Sequence, residues 1–240
     1  MKLTIIIVSY NVSNYLKQCI KSIYASDIKG ELEIIVVDNN SQDNTSNMIK
    51  SEYSEINYIQ NNENVGFSKA VNIALKETNG KYICLLNPDT LVCDDTFSIL
   101  IDYLSKHGNV GMIGPRIINS NGIFQISSKR SFPHLLPSIF KLTGISNFFP
   151  NNRFLSKYNL TFLNEDQIHS VDSISGACMM FSRYILNVNG LLDENFFMYG
   201  EDIDYCTRTK ANGYLVVYNP NSSIIHYKGK SSQDALFKLT

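Results

Sequence analysis

With 240 residues, 44% of them hydrophobic and 18% charged, the chain can bury the core of one large globular domain spanning 1–240. Its 21 basic against 22 acidic side chains, a net charge of -1, argue against a nucleic-acid partner, which needs a clustered positive surface. Five scattered cysteines without a C-x-x-C pair fit a reduced, cytoplasmic setting; no signal peptide is expected, and no run approaches the ~20 apolar residues that span a bilayer.

In chain order, LTIIIVS is predicted as a first strand, followed by a helix whose face carries Val12, Tyr15, Leu16, Cys19, Ile20, Ile23 and Tyr24. LEIIVVD is a second strand ending on Asp38. The turn residues of NNSQDNT lead into a short helix and then a third strand, INYIQ. Phe67, Ala70, Val71, Ala74 and Leu75 trace the next helix, with Gly80 expected as its left-handed C-cap. KYICLL is a fourth strand, apolar throughout as a strand covered on both faces should be. A helix over 94–106 precedes 110–127, read as two strands joined at Asn121-Gly122. From about 132 to 165 lies an irregular insert with Pro133, Pro137 and Pro150. Order returns in VDSISGACMMFS, a helix from Glu201 to about Asn212 closed by Gly213, and a last strand YLVVYN. The alternation predicts an α/β fold whose mainly parallel sheet is flanked by helices.

In such sheets ligands bind beyond the carboxyl ends of the strands. Three of the strands end in Ser9-Tyr10-Asn11, Asp38-Asn39-Asn40 and Asn87-Pro88-Asp89. An aromatic ring, a carboxylate for a base N–H and a second carboxylate for a divalent cation suit a nucleoside diphosphate, with Asp89 as the metal contact. Each part has a structural alternative: Tyr10 as a core-edge ring, Asp38 as a turn cap, Asn-Pro-Asp as a plain turn. Gly66 opens a helix whose first N–H groups could face a phosphate, with Lys69 one turn in, or it serves the turn alone. Glu201, Asp202 and Asp204 begin a helix behind Phe196, Phe197, Met198 and Tyr199. That apolar wall could raise a carboxylate's pKa toward a general base, although acidic groups at a helix start also have a purely structural explanation.

The stretches IIIVSYN, IIVVDNNSQDNT, NVGFSKAVNIAL, LLNPDT, SGACMMFSR, GLLDENFFMYGEDIDYCTRTKANGY and IIHYKGKSS together resemble the inverting family 2 glycosyltransferases of the GT-A fold, in particular bacterial rhamnosyltransferase-like members. The resemblance implies a nucleotide-sugar-binding half over 1–118 and a mixed acceptor-binding half over 119–240. The donor, a nucleotide-diphospho-sugar, would meet Ser9, Tyr10, Asn11, Asp38, Asn40, Gly66, Lys69 and Asn87. Asp89 and His226 would hold Mg2+ or Mn2+. Asp202, with Glu201 beside it, would be the catalytic base, and Ser175, Gly176, Tyr199 and Arg208 would contact a saccharide acceptor. Asn87 departs from the family's D-x-D-like motif, replacing a charge by a neutral amide and weakening the expected hold on the metal. Arg208 has the alternative of pairing with Asp204 at i, i+4.

The activity implied is transfer of a sugar, L-rhamnose from dTDP-rhamnose or a hexose from UDP-galactose or UDP-N-acetylglucosamine, in cell-surface polysaccharide synthesis. A lipid-linked acceptor, peripheral contact with the inner face of the cell membrane through the basic and apolar insert, and a homodimer are the further expectations. The insert has two other readings, an acceptor-side lid and a dimer contact. A sugar-1-phosphate nucleotidyltransferase would need a glycine-rich loop after the first strand, which VSYNVSN lacks. A non-catalytic nucleotide-sugar binder would have no use for Asp89 together with Asp202.

Overall fold

The computed structural model describes residues 2–28 and 30–227; the KGKSS end of the last motif lies outside the described residues. Strand β1 (Lys2–Ser9) pairs in parallel with β2 (Glu31–Asp38) from Lys2 opposite Glu31 to Ser9 opposite Asp38, so the two strand ends finish side by side. Helix α1 (Ser13–Ala25) returns between them. Helix α2 (Thr45–Glu52), β3 (Asn57–Gln60), α3 (Phe67–Glu77) and β4 (Tyr82–Leu86) repeat the crossover, with β3 parallel to β2 and β4 parallel to β1. Alternation along β1 sends Leu3, Ile5 and Ile7 into the core beneath α1, α2 and α4 (Thr96–Lys106), and Ile6 into the core beneath α3.

The second half of the chain threads into the same sheet. Between β4 and α4 lies a short strand, β5 (Thr90–Val92), and after α4 comes β6 (Val110–Ile118). A two-residue strand β7 (Lys129–Arg130) precedes helices α5 (Leu135–Leu142) and α6 (Ile145–Phe148), then β8 (His169–Val171) and β9 (Ser173–Ile174), which pairs with β7. Strand β10 (Cys178–Ser182) is followed by α7 (Arg183–Asn189), α8 (Glu201–Ala211) and β11 (Leu215–His226). The sheet order is β3-β2-β1-β4-β10-β6-β11-β5, with β8 also on β11. Inserting β10 antiparallel between β4 and β6 sets Cys178 opposite Leu86, and the Asn87 N–H donates to the Ala177 carbonyl at 3.0 Å. The Ser175-Gly176 loop therefore meets the end of β4.

Several elements differ from the sequence reading. After β6 the chain turns at Asn119–Gly122 and makes one bridge, Ile118 with Phe124, before a 3-10 turn over Ile126–Ser128, so the second arm of the expected hairpin does not form. Gly80 is not a left-handed cap: a Cβ there would lie 2.3 Å from Thr4 Oγ1, so the glycine serves a close approach of β1. The insert contains α5 and α6, and β5 and α7 were not expected. The last strand continues past YLVVYN, through a register shift between Asn219 and Ser223, to pair with β5 and set His226 opposite Thr90.

Candidate active site

A cavity of about 560 Å³ opens at the carboxyl ends of β1, β2 and β4, on the side of the sheet covered by α3 and α8. Alternation decides which residues line it. Ser9 and Asp38 lie in register, both fully buried, and the next residue of each strand, Tyr10 and Asn39, borders the cavity. Asp38 instead accepts from the Ser41 hydroxyl and, at 2.8 Å, from Tyr58 Oη. Asn11, at φ 54°, stitches the two loops: its N–H donates to Ser41 Oγ at 2.9 Å and its Oδ1 accepts from Gln42 N at 2.7 Å. Asn40, at φ 64°, donates to the Asn62 carbonyl.

Gly66 caps α3 at φ 84° and borders the cavity, yet the first helical N–H, that of Phe67, is taken at 2.7 Å by the Phe197 carbonyl. A Cβ on Gly66 would lie 2.6 Å from that oxygen, so the glycine locks α3 to the segment preceding α8. Lys69 is exposed on α3 and does not line the cavity.

At one corner the end of β4 meets β11. Asp89 is fully buried, and its Oδ1 lies 3.3 Å from His226 Nε2, with the Asn87 amide nitrogen 3.4 Å from the same ring atom. Gln125 Nε2 donates to the His226 carbonyl at 2.8 Å, which leaves Gln125 Oε1 facing His226 Nδ1 at 3.2 Å. Nδ1 must then carry the proton, and a neutral ring presents its Nε2 lone pair toward a carboxylate oxygen. Two acceptors at that separation call for a proton or a cation between them. One carboxylate and one imidazole fit a Mg2+ or Mn2+ ion that completes its shell with phosphate and water. Among the described residues no third His, Cys, Asp or Glu joins them.

At the opposite corner Tyr199 (φ 67°) and Gly200 (φ 96°) make a left-handed turn that aims the first residues of α8 at the cavity. Asp202 forms an ion pair with Arg130 of β7, accepts from Gly176 N at 3.2 Å through the same oxygen, and uses its other oxygen for Ile203 N at 2.8 Å. Glu201 Oε2 is buried without a hydrogen-bond partner, and burial, reinforced by the Asp202 charge, pushes its carboxyl up to about 7. Burial thus acts on Glu201, whereas Asp202 is met by a cation.

Residues 4–188 match the family model described as Glycosyl transferase family 2. The chain belongs to that family. The N-acetylglucosaminyl-diphospho-decaprenol L-rhamnosyltransferase of Mycobacterium tuberculosis is 24% identical to it over 241 residues, 96% of this chain and 77% of the relative. Rhamnosyltransferase WbbL of Escherichia coli K12 is 29% identical over 235 residues, 93% of this chain and 82% of WbbL. The mannosyltransferase PcManGT from Pyrobaculum calidifontis, solved in complex with GDP-Man and Mn2+, matches with a TM-score of 0.68 at 18% identity, covering 98% of this chain and 60% of that one. The protein is a family 2 glycosyltransferase of the rhamnosyltransferase-like kind, with the GT-A fold.

Of the residues expected from the sequence, the glycosyltransferase gathers Tyr10, Gly66, Asn87, Ser175, Gly176, Tyr199, Glu201, Asp202 and His226 around the cavity. Asp89 stands behind His226. Ser9, Asn11, Asp38, Asn40 and Lys69 do not line it, for the reasons above. Arg208 does not either: it pairs with Asp204 at 2.7 Å, donates to the Asn189 and Leu191 carbonyls and lies over the Tyr205 ring. Sequence reasoning missed Asn39, Asn64, Arg130 and Lys141, all of which line the cavity. Counting alternation on from the end of β2 would have found Asn39. Arg130 carried only a charge in a basic stretch, and its partner lies 72 positions away.

Proposed function

We propose that the chain is an inverting glycosyltransferase that moves L-rhamnose from dTDP-rhamnose to a saccharide acceptor, borne on a lipid, in cell-surface polysaccharide assembly at the cytoplasmic face of the membrane. In this reading residues 1–118 serve the donor and 119–240 the acceptor. The observation that carries it is the shared cavity, with Tyr10 and Asn39 on one wall, His226 at one corner and the Asp202–Arg130 pair at the other. The choice of rhamnose and of a lipid-borne acceptor leans on the names of the Mycobacterium tuberculosis and Escherichia coli relatives.

Tyr10 offers a ring face to the base. Asp89 and His226, with the neutral amide of Asn87, would hold Mg2+ or Mn2+, which when bound neutralises charge on the departing diphosphate. Asp202 accepts the proton of the acceptor hydroxyl as that oxygen attacks the anomeric carbon from the face opposite the diphosphate. The glycosidic bond forms as the sugar–phosphate bond breaks, with inversion. The Gly176 N–H and Arg130 hold the Asp202 carboxylate in place for this step. Below about pH 7 Glu201 keeps its proton, which limits the negative charge beside the base.

Asp202→Asn tests the reading. Transfer is expected to fall by about 10²–10⁴-fold, while dTDP-rhamnose with Mn2+ still raises the melting temperature of the folded variant. Full transfer by this variant sinks the assignment of the base. Screening UDP-galactose and UDP-N-acetylglucosamine in the same thermal assay decides the donor.

A further inference from the structure

We propose that the outer face of α5 and α6 is a membrane-docking surface that seats the enzyme on a bilayer carrying anionic lipid. Helices of globular proteins turn their apolar stripe inward. Helix α5 does the reverse: Leu135, Ile139 and Leu142, at i, i+4 and i+7, are 78%, 42% and 85% exposed. Phe148, Phe149 and Phe154 extend the patch at 81%, 53% and 57%. The end of the insert is fixed to the body by buried Lys129, which donates to the Leu160 and Leu163 carbonyls, and within the insert Ser156 Oγ donates to the Phe149 carbonyl at 2.7 Å. An exposed apolar patch of this kind marks a contact with protein or with membrane.

Charge decides between the two. In a chain of net charge -1, residues 131–164 contain no Asp or Glu, while Lys141, Arg153 and Lys157 are exposed there. A bilayer with anionic headgroups answers the apolar face and the cations together. A second copy of the chain does not, because a two-fold contact would bring the same cations face to face. No helix among the described residues is long and apolar enough to cross a membrane. Lys141 also lines the cavity mouth, its Nζ 4.2 Å from the centre of the Tyr158 ring. The docking face thus adjoins the cavity and suits an acceptor carried in the same bilayer. That link rests on the function proposed above; the docking itself does not.

Flotation of the full chain with vesicles, without donor or acceptor, keeps the two proposals apart. The protein is expected to float with phosphatidylcholine vesicles that contain phosphatidylglycerol, and less so as salt rises. Leu142→Glu combined with Phe148→Glu should cut that binding at least about tenfold. Arg153→Gln and Lys157→Gln should each cut it about fivefold on the anionic vesicles only. Neither pair should alter thermal unfolding or the melting shift given by donor with Mn2+. Absence of flotation with anionic vesicles, undiminished flotation of the Glu pair, or a wild-type dimer that the Glu pair dissociates overturns the proposal. Flotation without any donor-induced melting shift overturns only the proposed function.

Discussion

A carboxylate stands at each of two corners of the cavity, Asp202 on its wall and Asp89 behind His226, and the two have their charge answered differently. Asp89 is fully buried and faces an imidazole whose other nitrogen is fixed by Gln125, an arrangement that a divalent cation can enter. Asp202 already faces a permanent cation, Arg130, and a backbone N–H. A guanidinium cannot give up its charge, so it orients the carboxylate without competing for a proton. An imidazole can share a metal with a carboxylate. The pairing of partners, more than the acids themselves, separates the two corners: in the function proposed above, one would hold the metal and the other would accept the proton.

Arg130→Gln strikes this contrast hardest. Removing the cation strips Asp202 of its fixed partner, and kcat is expected to fall about a hundredfold, with stability down by about 3 kcal/mol, since a partly buried charge is left uncompensated. Single-turnover transfer and urea unfolding measure the two effects, and an unchanged kcat would make the pair purely structural.

Glu201→Gln follows. The wild-type carboxyl titrates at about 7 in the folded protein against 4.5 as the ordinary value, so the folded state binds this proton more tightly than the unfolded chain. The stability the group contributes is complete below 4.5 and is lost as pH rises through 7. The variant should therefore match the wild type at low pH and exceed it at pH 8 by on the order of 2–3 kcal/mol. Denaturant midpoints across that range check the slope; parallel curves would place the burial elsewhere.

His226→Ala sharpens the other corner. The concentration of Mn2+ needed for half-maximal transfer should rise about 10–100-fold, with kcat at saturating metal much less affected. A variant with an unchanged metal titration would leave Asp89 and the donor phosphates to hold the ion alone. The smallest effect belongs to Arg208→Gln. Loss of its contacts to Asp204 and two carbonyls should cost about 1 kcal/mol and leave kcat/KM as it was. A fall in kcat/KM would return Arg208 to the acceptor.

Much of this was legible because it is local. The apolar runs ending at Ser9, Asp38 and Leu86, the Asn-Pro-Asp turn and the acidic start of α8 are all written in neighbouring residues. The structure adds what a single position decides about a face or an approach. Asp38 drew notice as the charged group, but register with Ser9 turns it under the sheet toward Tyr58 and gives the cavity wall to Asn39. Gly80 read as a helix cap because it follows α3, yet its reason is the backbone of Thr4 across the sheet.

The sequence by itself determined the four strands of the first half, their polar ends and the order in which chemistry appears along the chain, since alternation, helical periodicity and turn residues act over a few positions. Tertiary structure alone decided that β10 enters between β4 and β6, that β11 shifts register to carry His226 to Asp89, and that Arg130 rather than solvent meets Asp202. Those contacts join residues far apart in the chain. They are chosen by the packing of two cores on one sheet, which no local pattern encodes.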